Sequence, residues 1–357
     1  MTSFMAATGR EGAPWGWTDE HRRLQVAVVG ASGAVGEELL ALLLAAGHPV
    51  DGLDLLARRY GKLEIGPERT KLSLRPLESL STANDLPGCD LAFLCTPSEV
   101  SRVLGPTLAE AGIRVIDLSS ALRMRSDVPL IVPEINGDEL RARPRLIANP
   151  NCTTAIAALP LSVIQRLAPL EEVIVVSYQA ASGAGAAGLA TLAAEAREDA
   201  GLPRASTAAS PFAARLSRNV IPAIAEVDEQ GISGEEQKIS EELRKILRLP
   251  KLLVESTTAR VPVERCHSVA VHLRVRGELD PARVRAALRE APGIRLDEDP
   301  HGPRPLESAR TDAVHVGRIR AGSRGPGSLC FFAVGDQIRK GAALNALQIA
   351  AALPAER

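Results

Sequence analysis

A short apolar segment, residues 24–29, runs directly into a glycine-rich heptapeptide at residues 30–36, Gly-Ala-Ser-Gly-Ala-Val-Gly. Residues 37–46 then have the composition of a helix that ends at Gly47. Three glycines between a buried strand and a helix permit a tight turn and let a phosphate approach the helix N-terminus. The pattern therefore predicts a dinucleotide-binding turn, the alternative being a purely structural turn. The residues predicted to contact the cofactor are Gly30, Ser32, Gly33, Ala34, Val35 and Gly36.

Short apolar segments alternate with helical ones through the first 150 residues. The strand-like segments are residues 53–57, 91–95 and 115–118, and a helical segment spans residues 99–111. This alternation predicts an α/β, Rossmann-like domain with a parallel sheet and helices on both faces. The domain is expected to cover residues 24–150, completed by a C-terminal helix within residues 338–357.

The pattern changes after residue 150. Longer segments alternate apolar with polar residues, which is typical of an antiparallel sheet with one solvated or partner-facing side. These segments are residues 173–178, 251–260, 268–276 and 329–334. We predict a second, α+β domain over residues 151–337, with a mixed and largely antiparallel sheet.

The end of the second predicted strand indicates which dinucleotide would bind. An NAD site usually has an acidic residue about 20 positions after the glycine turn, where it holds the ribose 2′-hydroxyl. Here Asp54 lies inside the strand, and Arg58 and Arg59 follow it. Two arginines suit a 2′-phosphate, so NADP is predicted over NAD. The alternative is an ordinary solvated basic turn.

Composition excludes several classes of protein. The net charge of -1, from 42 basic and 43 acidic residues, does not favour nucleic acid or an anionic membrane as partner. The five cysteines are scattered and contain no Cys-x-x-Cys pair, which argues against disulfides and metal sites and for a reducing compartment. The longest apolar segment, residues 39–46, is too short to span a bilayer. We expect a cytoplasmic protein whose residues 1–23 form a disordered tail.

One cysteine has a distinctive position. Cys152 follows Pro150 and Asn151 and precedes a segment that favours a helix. A thiol at a helix N-terminus has a lowered pKa and is a candidate nucleophile. The alternative is a buried apolar residue, which is common for unpaired cysteines.

Seven motifs occur in an order that resembles the aspartate-β-semialdehyde dehydrogenase family, from about Leu24 to the C-terminus. They lie at residues 30–36, 149–154, 178–185, 219–222, 260–268, 316–320 and 340–345. The resemblance implies reduction of L-aspartyl-4-phosphate to L-aspartate-4-semialdehyde with NADPH and release of phosphate. It places this step in lysine, threonine and methionine synthesis, and implies a homodimer built on the outer face of the second sheet.

The same resemblance assigns roles in the site. Cys152 matches the nucleophile, which forms a thioester, His267 matches the acid–base residue, and Gln179 matches a substrate-orienting amide. Without the family, His267 could equally be a hydrogen-bonded core residue. The matching substrate contacts are Arg260 for the α-carboxylate, Glu235 for the amine, and Lys238 with Arg123 for phosphate. The matching nicotinamide-side contacts are Ser182, Gly183 and Gln337.

Some residues depart from the family pattern. Leu122 replaces an aromatic residue, which makes Arg125 a rival of Arg123, and Gln337 replaces an asparagine. Tyr60 and its neighbour Arg59 replace a small pair. Residues 95–101 are closer to N-acetyl-γ-glutamyl-phosphate reductase, which remains an alternative, as does a non-catalytic paralogue of the same fold.

Overall fold

The computed structural model describes residues 24–58, 61–203 and 209–354. The tail predicted for residues 1–23, and Arg59, lie outside the described residues. The chain divides into two compact units, residues 1–150 with 342–357, and residues 151–341.

The first unit is built on a seven-stranded sheet in the order β3-β4-β2-β1-β5-β6-β7. Its strands are β1 (Val26–Val29), β2 (Leu53–Ala57), β3 (Gly61–Ile65), β4 (Thr70–Pro76), β5 (Leu91–Leu94), β6 (Arg114–Asp117) and β7 (Leu146–Ala148), and its helices are α1 (Ala34–Ala45), α2 (Ser98–Glu110) and α3 (Pro133–Asn136). Neighbouring strands are parallel except for β3 and β4. Every residue of β1 and β5 is buried, as parallel strands covered on both faces require. The predicted Rossmann-like architecture is confirmed.

The edge hairpin of β3 and β4 is a feature that the sequence did not predict. Its two strands pair in antiparallel register, from Gly61 opposite Leu74 to Ile65 opposite Thr70. Three of the five residues of β3 are exposed. Because an edge strand has a solvated face, it lacks the continuous apolar run that identified β1 and β5.

The second unit is built on a six-stranded sheet in the order β11-β12-β13-β10-β8-β9. Its strands are β8 (Leu170–Gln179), β9 (Leu253–Arg260), β10 (His267–Val275), β11 (Ile294–Leu296), β12 (Val314–Ala321) and β13 (Ser328–Gly335), and its helices are α4 (Cys152–Leu167), α5 (Gly185–Asp199), α6 (Gly234–Ile246), α7 (Pro281–Arg289) and α8 (Pro305–Ser308). The β8–β10, β10–β13 and β12–β13 pairs are antiparallel, whereas β8–β9 and β11–β12 are parallel. The predicted mixed, largely antiparallel sheet is confirmed.

The two faces of this sheet differ in burial. Helix α4, whose residues from Thr153 to Ile164 are all buried, packs on one face. Along β8 every second residue from Val173 to Gln179 is buried, and the residues between them are more exposed. The more exposed side, called the open face here, is formed by Ile174, Val176, Tyr178, Ala270, His272 and Phe332.

The chain ends in helix α9 (Leu344–Ala352), which follows a π-helical turn at Arg339–Ala343. Leu347 and Ala350 of α9 belong to the same buried apolar cluster as Leu39 and Leu43 of α1. Asn345 donates hydrogen bonds from Nδ2 to the Ile131 carbonyl at 3.0 Å and to Asn149 Oδ1 at 2.8 Å. The last helix thus belongs to the core of the first unit. Among the described residues, no helix combines the length and the apolar character needed to cross a membrane.

Candidate active site

Cys152 is the first residue of α4, and it is half-buried and not part of a disulfide. The preceding residue, Asn151, caps the helix: its Oδ1 accepts hydrogen bonds from the N–H groups of Thr153 at 2.9 Å and Thr154 at 3.1 Å. A Cβ atom added to Gly341 would lie 2.7 Å from Cys152 Cβ, so only glycine fits beside the thiol-bearing residue. The thiol therefore lies at a capped helix N-terminus, where a thiolate is favoured.

Glu235 connects the helix cap to other predicted site residues. Its Oε1 accepts hydrogen bonds from Asn151 Nδ2 at 2.9 Å and from Gln179 Nε2 at 3.2 Å. Its Oε2 lies 3.4 Å from Lys238 Nζ, on the next turn of α6. The Glu235 carboxylate thus joins two other predicted residues, Gln179 and Lys238, to the residue that precedes Cys152.

Arg260 and His267 lie beside this cluster because of strand register. Gln179 at the end of β8 pairs with Arg260 at the end of β9, and Tyr178 pairs with the second residue of β10. Arg260 Nη1 donates to the Ala180 carbonyl at 2.7 Å, and its guanidinium carbon lies 5.8 Å from the centre of the Phe212 ring. His267 is fully buried, and its Nδ1 accepts a hydrogen bond from the Ala180 N–H at 3.1 Å.

The electrostatics of these two side chains are coupled. Burial, together with the positive charge of Arg260, lowers the pKa of His267 to about 3. Burial also lowers the pKa of Arg260, while the charges of Cys152 and Glu235 act in the opposite direction. His267 is therefore neutral near pH 7.

The hydrogen bond from Ala180 fixes the tautomer of His267. A ring nitrogen that accepts a hydrogen bond carries no hydrogen, so the neutral imidazole holds its hydrogen on Nε2. Within the described part of the chain, His267 Nε2 is buried without a hydrogen-bond partner. A Cβ on Gly183 would lie 3.4 Å from this nitrogen and 2.5 Å from Arg260 Nη1. Two donors thus converge where Gly183 leaves space.

The other predicted nicotinamide-side residues take part in an internal network. Gln337 accepts a hydrogen bond from the Cys266 N–H at 2.8 Å through Oε1 and donates through Nε2 to Ser182 Oγ, which donates to the Glu264 carbonyl. Cys266 has a φ of 74°, a strained value for a residue with a side chain. Gln337 and Ser182 hold this strained turn immediately before His267.

In the first unit, the glycine turn has the geometry that a dinucleotide needs. Gly30 has a φ of 90°, and a Cβ there would lie 2.2 Å from the Cys95 carbonyl oxygen. A Cβ on Gly36 would lie 2.4 Å from the Gly30 carbonyl oxygen. Gly33 is the N-cap of α1, and no side chain in the described residues caps this helix. The N–H groups at the helix N-terminus therefore suit a pyrophosphate.

Arg58 follows β2 and is exposed at the rim of a cavity of about 530 Å³. Leu77, Leu80 and Leu104 line this cavity. Asp54, the acidic residue of β2, pairs with Arg75 through two hydrogen bonds of 2.7 and 2.6 Å. The end of β2 thus places the Arg58 cation beside an apolar cavity, and the Asp54 carboxylate of the same strand is paired with Arg75.

Arg123 and its rival Arg125 differ in their surroundings, both within the first unit. Arg123 is buried, with Nε donating to the Asn149 carbonyl at 2.9 Å and Nη2 to the Leu118 carbonyl at 3.0 Å. Arg125 is exposed and pairs with Asp127 at 3.0 and 2.5 Å. Arg123 is thus anchored to the segment that leads toward Cys152, whereas Arg125 is held by a surface carboxylate.

Three groups of the site were not predicted from the sequence: Asn151 as a helix cap, the Ala180 backbone and Glu242. Asn151 could have been found, since asparagine before a helix is a favoured N-cap. Glu242 accepts a hydrogen bond from the Asn151 N–H at 2.6 Å. No local pattern indicates this contact, because 91 residues separate the partners. Among the described residues, no group of three or more side chains could hold a metal ion.

A Rossmann-like domain joined to a second domain on a mixed sheet defines a class of two-domain, dinucleotide-dependent dehydrogenases. The model of the semialdehyde dehydrogenase NAD binding domain matches residues 25–143, and that of the semialdehyde dehydrogenase dimerisation domain matches residues 161–340. The aspartate-semialdehyde dehydrogenase of Synechocystis sp. is 37% identical over 335 residues, covering 92% of this chain and 96% of the relative. That of Aquifex aeolicus is 36% identical over 344 residues, covering 93% and 98%.

Solved structures agree with these matches. The aspartate semialdehyde dehydrogenase II of Vibrio cholerae, crystallised as a complex with ASA, superposes with a TM-score of 0.85 at 34% identity, covering 93% of this chain and 98% of its own. A probable aspartate-semialdehyde dehydrogenase from Pseudomonas aeruginosa superposes with a TM-score of 0.83 at 29% identity, covering 92% and 97%. The chain belongs to the aspartate-semialdehyde dehydrogenase family.

Proposed function

We propose that this protein reduces L-aspartyl-4-phosphate to L-aspartate-4-semialdehyde with NADPH, through a thioester on Cys152. The observation that carries the proposal is the position of Cys152 at the capped N-terminus of α4, next to the Asn151 that bonds to Glu235, and within the electrostatic range of Arg260. Family membership supplies the substrate class.

In the first step the Cys152 thiolate attacks the carbonyl carbon of the acyl phosphate. The C–S bond forms, the C–O bond to phosphate breaks, and phosphate leaves with the electron pair. Residues 30–36 would hold NADPH, which would supply the hydride that reduces the thioester. Collapse of the resulting tetrahedral oxyanion releases the aldehyde and returns Cys152 as thiolate. A thioester divides one difficult reduction into two easier steps.

His267 acts in this scheme as a neutral hydrogen-bond donor. Its Nε2–H faces the space above Gly183, where it can stabilise the carbonyl oxygen as negative charge develops in each tetrahedral intermediate. The sulfur enters and leaves as a thiolate, so His267 transfers no proton to or from it; the one proton that the reaction consumes is taken from solvent by the departing phosphate. The proposed role thus follows from the tautomer that Ala180 fixes.

The substrate's charged groups have matching partners among the remaining residues. Arg260 offers a two-pronged donor for the α-carboxylate, for which lysine is a poor substitute. Glu235 Oε2 receives the amine, and Lys238 with Arg123 receives the phosphate. Gln179 uses its Nε2 toward Glu235 and Ser177, which leaves Oε1 as an acceptor that orients the substrate.

NADP is the proposed cofactor, held at the glycine turn by residues 30–36. Arg58 stands where a 2′-phosphate would meet a cation, and the engagement of Asp54 by Arg75 removes the competing carboxylate. Gly183 leaves space on the nicotinamide side, whereas Ser182 and Gln337 contribute by holding the turn before His267. We further propose a homodimer through the open face, and a place in aspartate-derived lysine, threonine and methionine synthesis.

The test is phosphate-dependent NADPH formation from aspartate semialdehyde by the purified protein. We expect wild-type activity with NADP above that with NAD, and complete loss in Cys152→Ala. N-acetylglutamate semialdehyde is the competing substrate, because the glutamyl-phosphate reductase alternative predicts faster turnover with it. Absence of activity with both semialdehydes, in a folded protein, would favour a non-catalytic paralogue.

A further inference from the structure

Glu242 is a buried carboxylate that the proposed chemistry does not use. Its residue is 1% exposed, on the face of α6 that also carries Glu235. The two glutamates are seven residues apart, which places them two turns apart on one helix face. A carboxylate taken out of water costs free energy unless it is hydrogen-bonded, so burial at this position requires a compensating contact.

The two carboxylates hold Asn151 from both of its donor groups. Glu242 Oε2 accepts the Asn151 backbone N–H at 2.6 Å, and Glu235 Oε1 accepts its side-chain Nδ2 at 2.9 Å. The Asn151 Oδ1 is meanwhile committed to the N–H groups that begin α4. Backbone and side chain of the residue that precedes Cys152 are thus fixed by α6.

We propose that Glu242 is a positioning residue for the reaction: by holding the Asn151 N–H, it fixes the backbone from which the Cys152 thiol reaches the substrate carbonyl. Glu235 combines a similar contact with a place in the proposed substrate site, whereas Glu242 has no proposed contact with the substrate and holds the Asn151 N–H. The inference rests on the proposed function, in which Cys152 is the nucleophile. Catalytic geometry tolerates little error, since a displacement of about 1 Å can reduce the rate about 100-fold.

Two variants separate the hydrogen bond from the charge. Glu242→Gln keeps the side-chain length and an acceptor oxygen but loses the charge, whereas Glu242→Asp keeps the charge and withdraws the acceptor by one methylene. Positioning predicts that Glu242→Asp lowers kcat at least about tenfold with KM changed less than about threefold, because the nucleophile is displaced more than the substrate contacts. Glu242→Gln is expected to lose no more than about threefold in kcat. The matched controls are Glu241→Gln and Glu241→Asp, on the same helix, where Glu241 bonds to Gln237 at the surface.

The rate of Cys152 alkylation by iodoacetamide, followed by mass spectrometry of the Cys152 peptide, gives a second readout that needs no substrate. The expected change is again larger in Glu242→Asp than in Glu242→Gln. Equal effects of the two variants, or a larger effect of Gln, would overturn the proposal, as would a kcat loss that merely follows the loss of folded protein. An altered alkylation rate in a protein without semialdehyde activity would instead reject the proposed function and keep the positioning of Cys152.

Discussion

At the scale of residues, the backbone of Ala180 decides how two side chains of the site behave. The Ala180 N–H donates to His267 Nδ1, and the Ala180 carbonyl accepts from Arg260 Nη1. The first bond leaves the imidazole hydrogen on Nε2, and the second holds a cation beside the ring. The cation and the burial of the ring both oppose protonation of His267. A residue with no functional side chain thus makes the histidine a neutral donor.

This arrangement predicts how stability depends on pH. His267 has a pKa of about 3 in the folded protein, against about 6.5 in an unfolded chain. Below about pH 6.5 the unfolded state therefore binds a proton that the folded state does not, so acid favours unfolding. Between pH 7.5 and 5 the wild type should lose about 2 kcal/mol more unfolding free energy than His267→Gln. Urea titrations at both pH values measure this difference, in which the contributions of the other histidines cancel. A difference independent of pH would contradict the buried, neutral histidine.

The candidate residues were predictable to different degrees. Cys152 could be placed at a helix N-terminus because Pro150 and Asn151 precede a helix-favouring segment. The proximity of Arg260 and Gln179 could not be derived from a local sequence pattern. It depends on the parallel pairing of β8 and β9, which are connected by more than 70 residues. The resemblance to a family identified Arg260 and Gln179 as site residues but did not show how they are arranged in space.

At the scale of elements, continuous apolar strands and long alternating strands were predicted well, whereas the edge hairpin of β3 and β4 was missed. Strands β1 and β5 are continuous apolar runs, and both were expected at nearly their observed positions. The edge strand β3 has mostly exposed residues, and its hairpin was missed. Helix α6 has an N-terminal capping box of Ser233 and Glu236. This local pattern predicts where the helix begins.

The junction of β1 and α1 allows a test that separates folding from cofactor binding. Gly36→Ala would place Cβ 2.4 Å from the Gly30 carbonyl oxygen, so the backbone must shift. We expect a melting temperature lower by several degrees and weakened NADP binding, because about 1 kcal/mol or more is lost. Gly33→Ala places Cβ 3.4 Å from the same oxygen, a distance the fold tolerates. It should leave the melting temperature nearly unchanged while weakening NADP binding, because the methyl group lies at the helix N-terminus where a pyrophosphate would approach.

Calorimetric titration with NADP and thermal unfolding of both variants measure these two effects. An unchanged NADP affinity in Gly33→Ala would show that the dinucleotide does not approach the backbone at this glycine. Equal loss of stability in the two variants would contradict the contrast in the space around them.

At the scale of the whole molecule, each unit uses its sheet differently. In the first unit β1 and β5 are buried throughout, so that sheet serves as a core. The sheet of the second unit has α4 on one face only, and the aromatic rings of Tyr178 and Phe332 lie 6.5 Å apart on the open face. An exposed apolar surface of this kind is typical of an interface between proteins. It lies within residues 161–340, which match a dimerisation domain.

The open face therefore carries the last prediction. Val176→Asp places a charge on β8 within this face, beside Ala270 on β10. If two copies of the chain meet there, an unpaired buried carboxylate should weaken the dimer by several kcal/mol, enough to produce monomers at micromolar concentration. The measurement is the mass by light scattering during size-exclusion chromatography. Leu306→Asp is the control, because Leu306 is 87% exposed outside the open face and should tolerate the same charge without dissociation. Gln179 and His267 lie at the ends of β8 and β10, beyond this patch. A dimer that persists in Val176→Asp would contradict dimerisation through the open face, and the two strands would then be supported only by the helices on their other face.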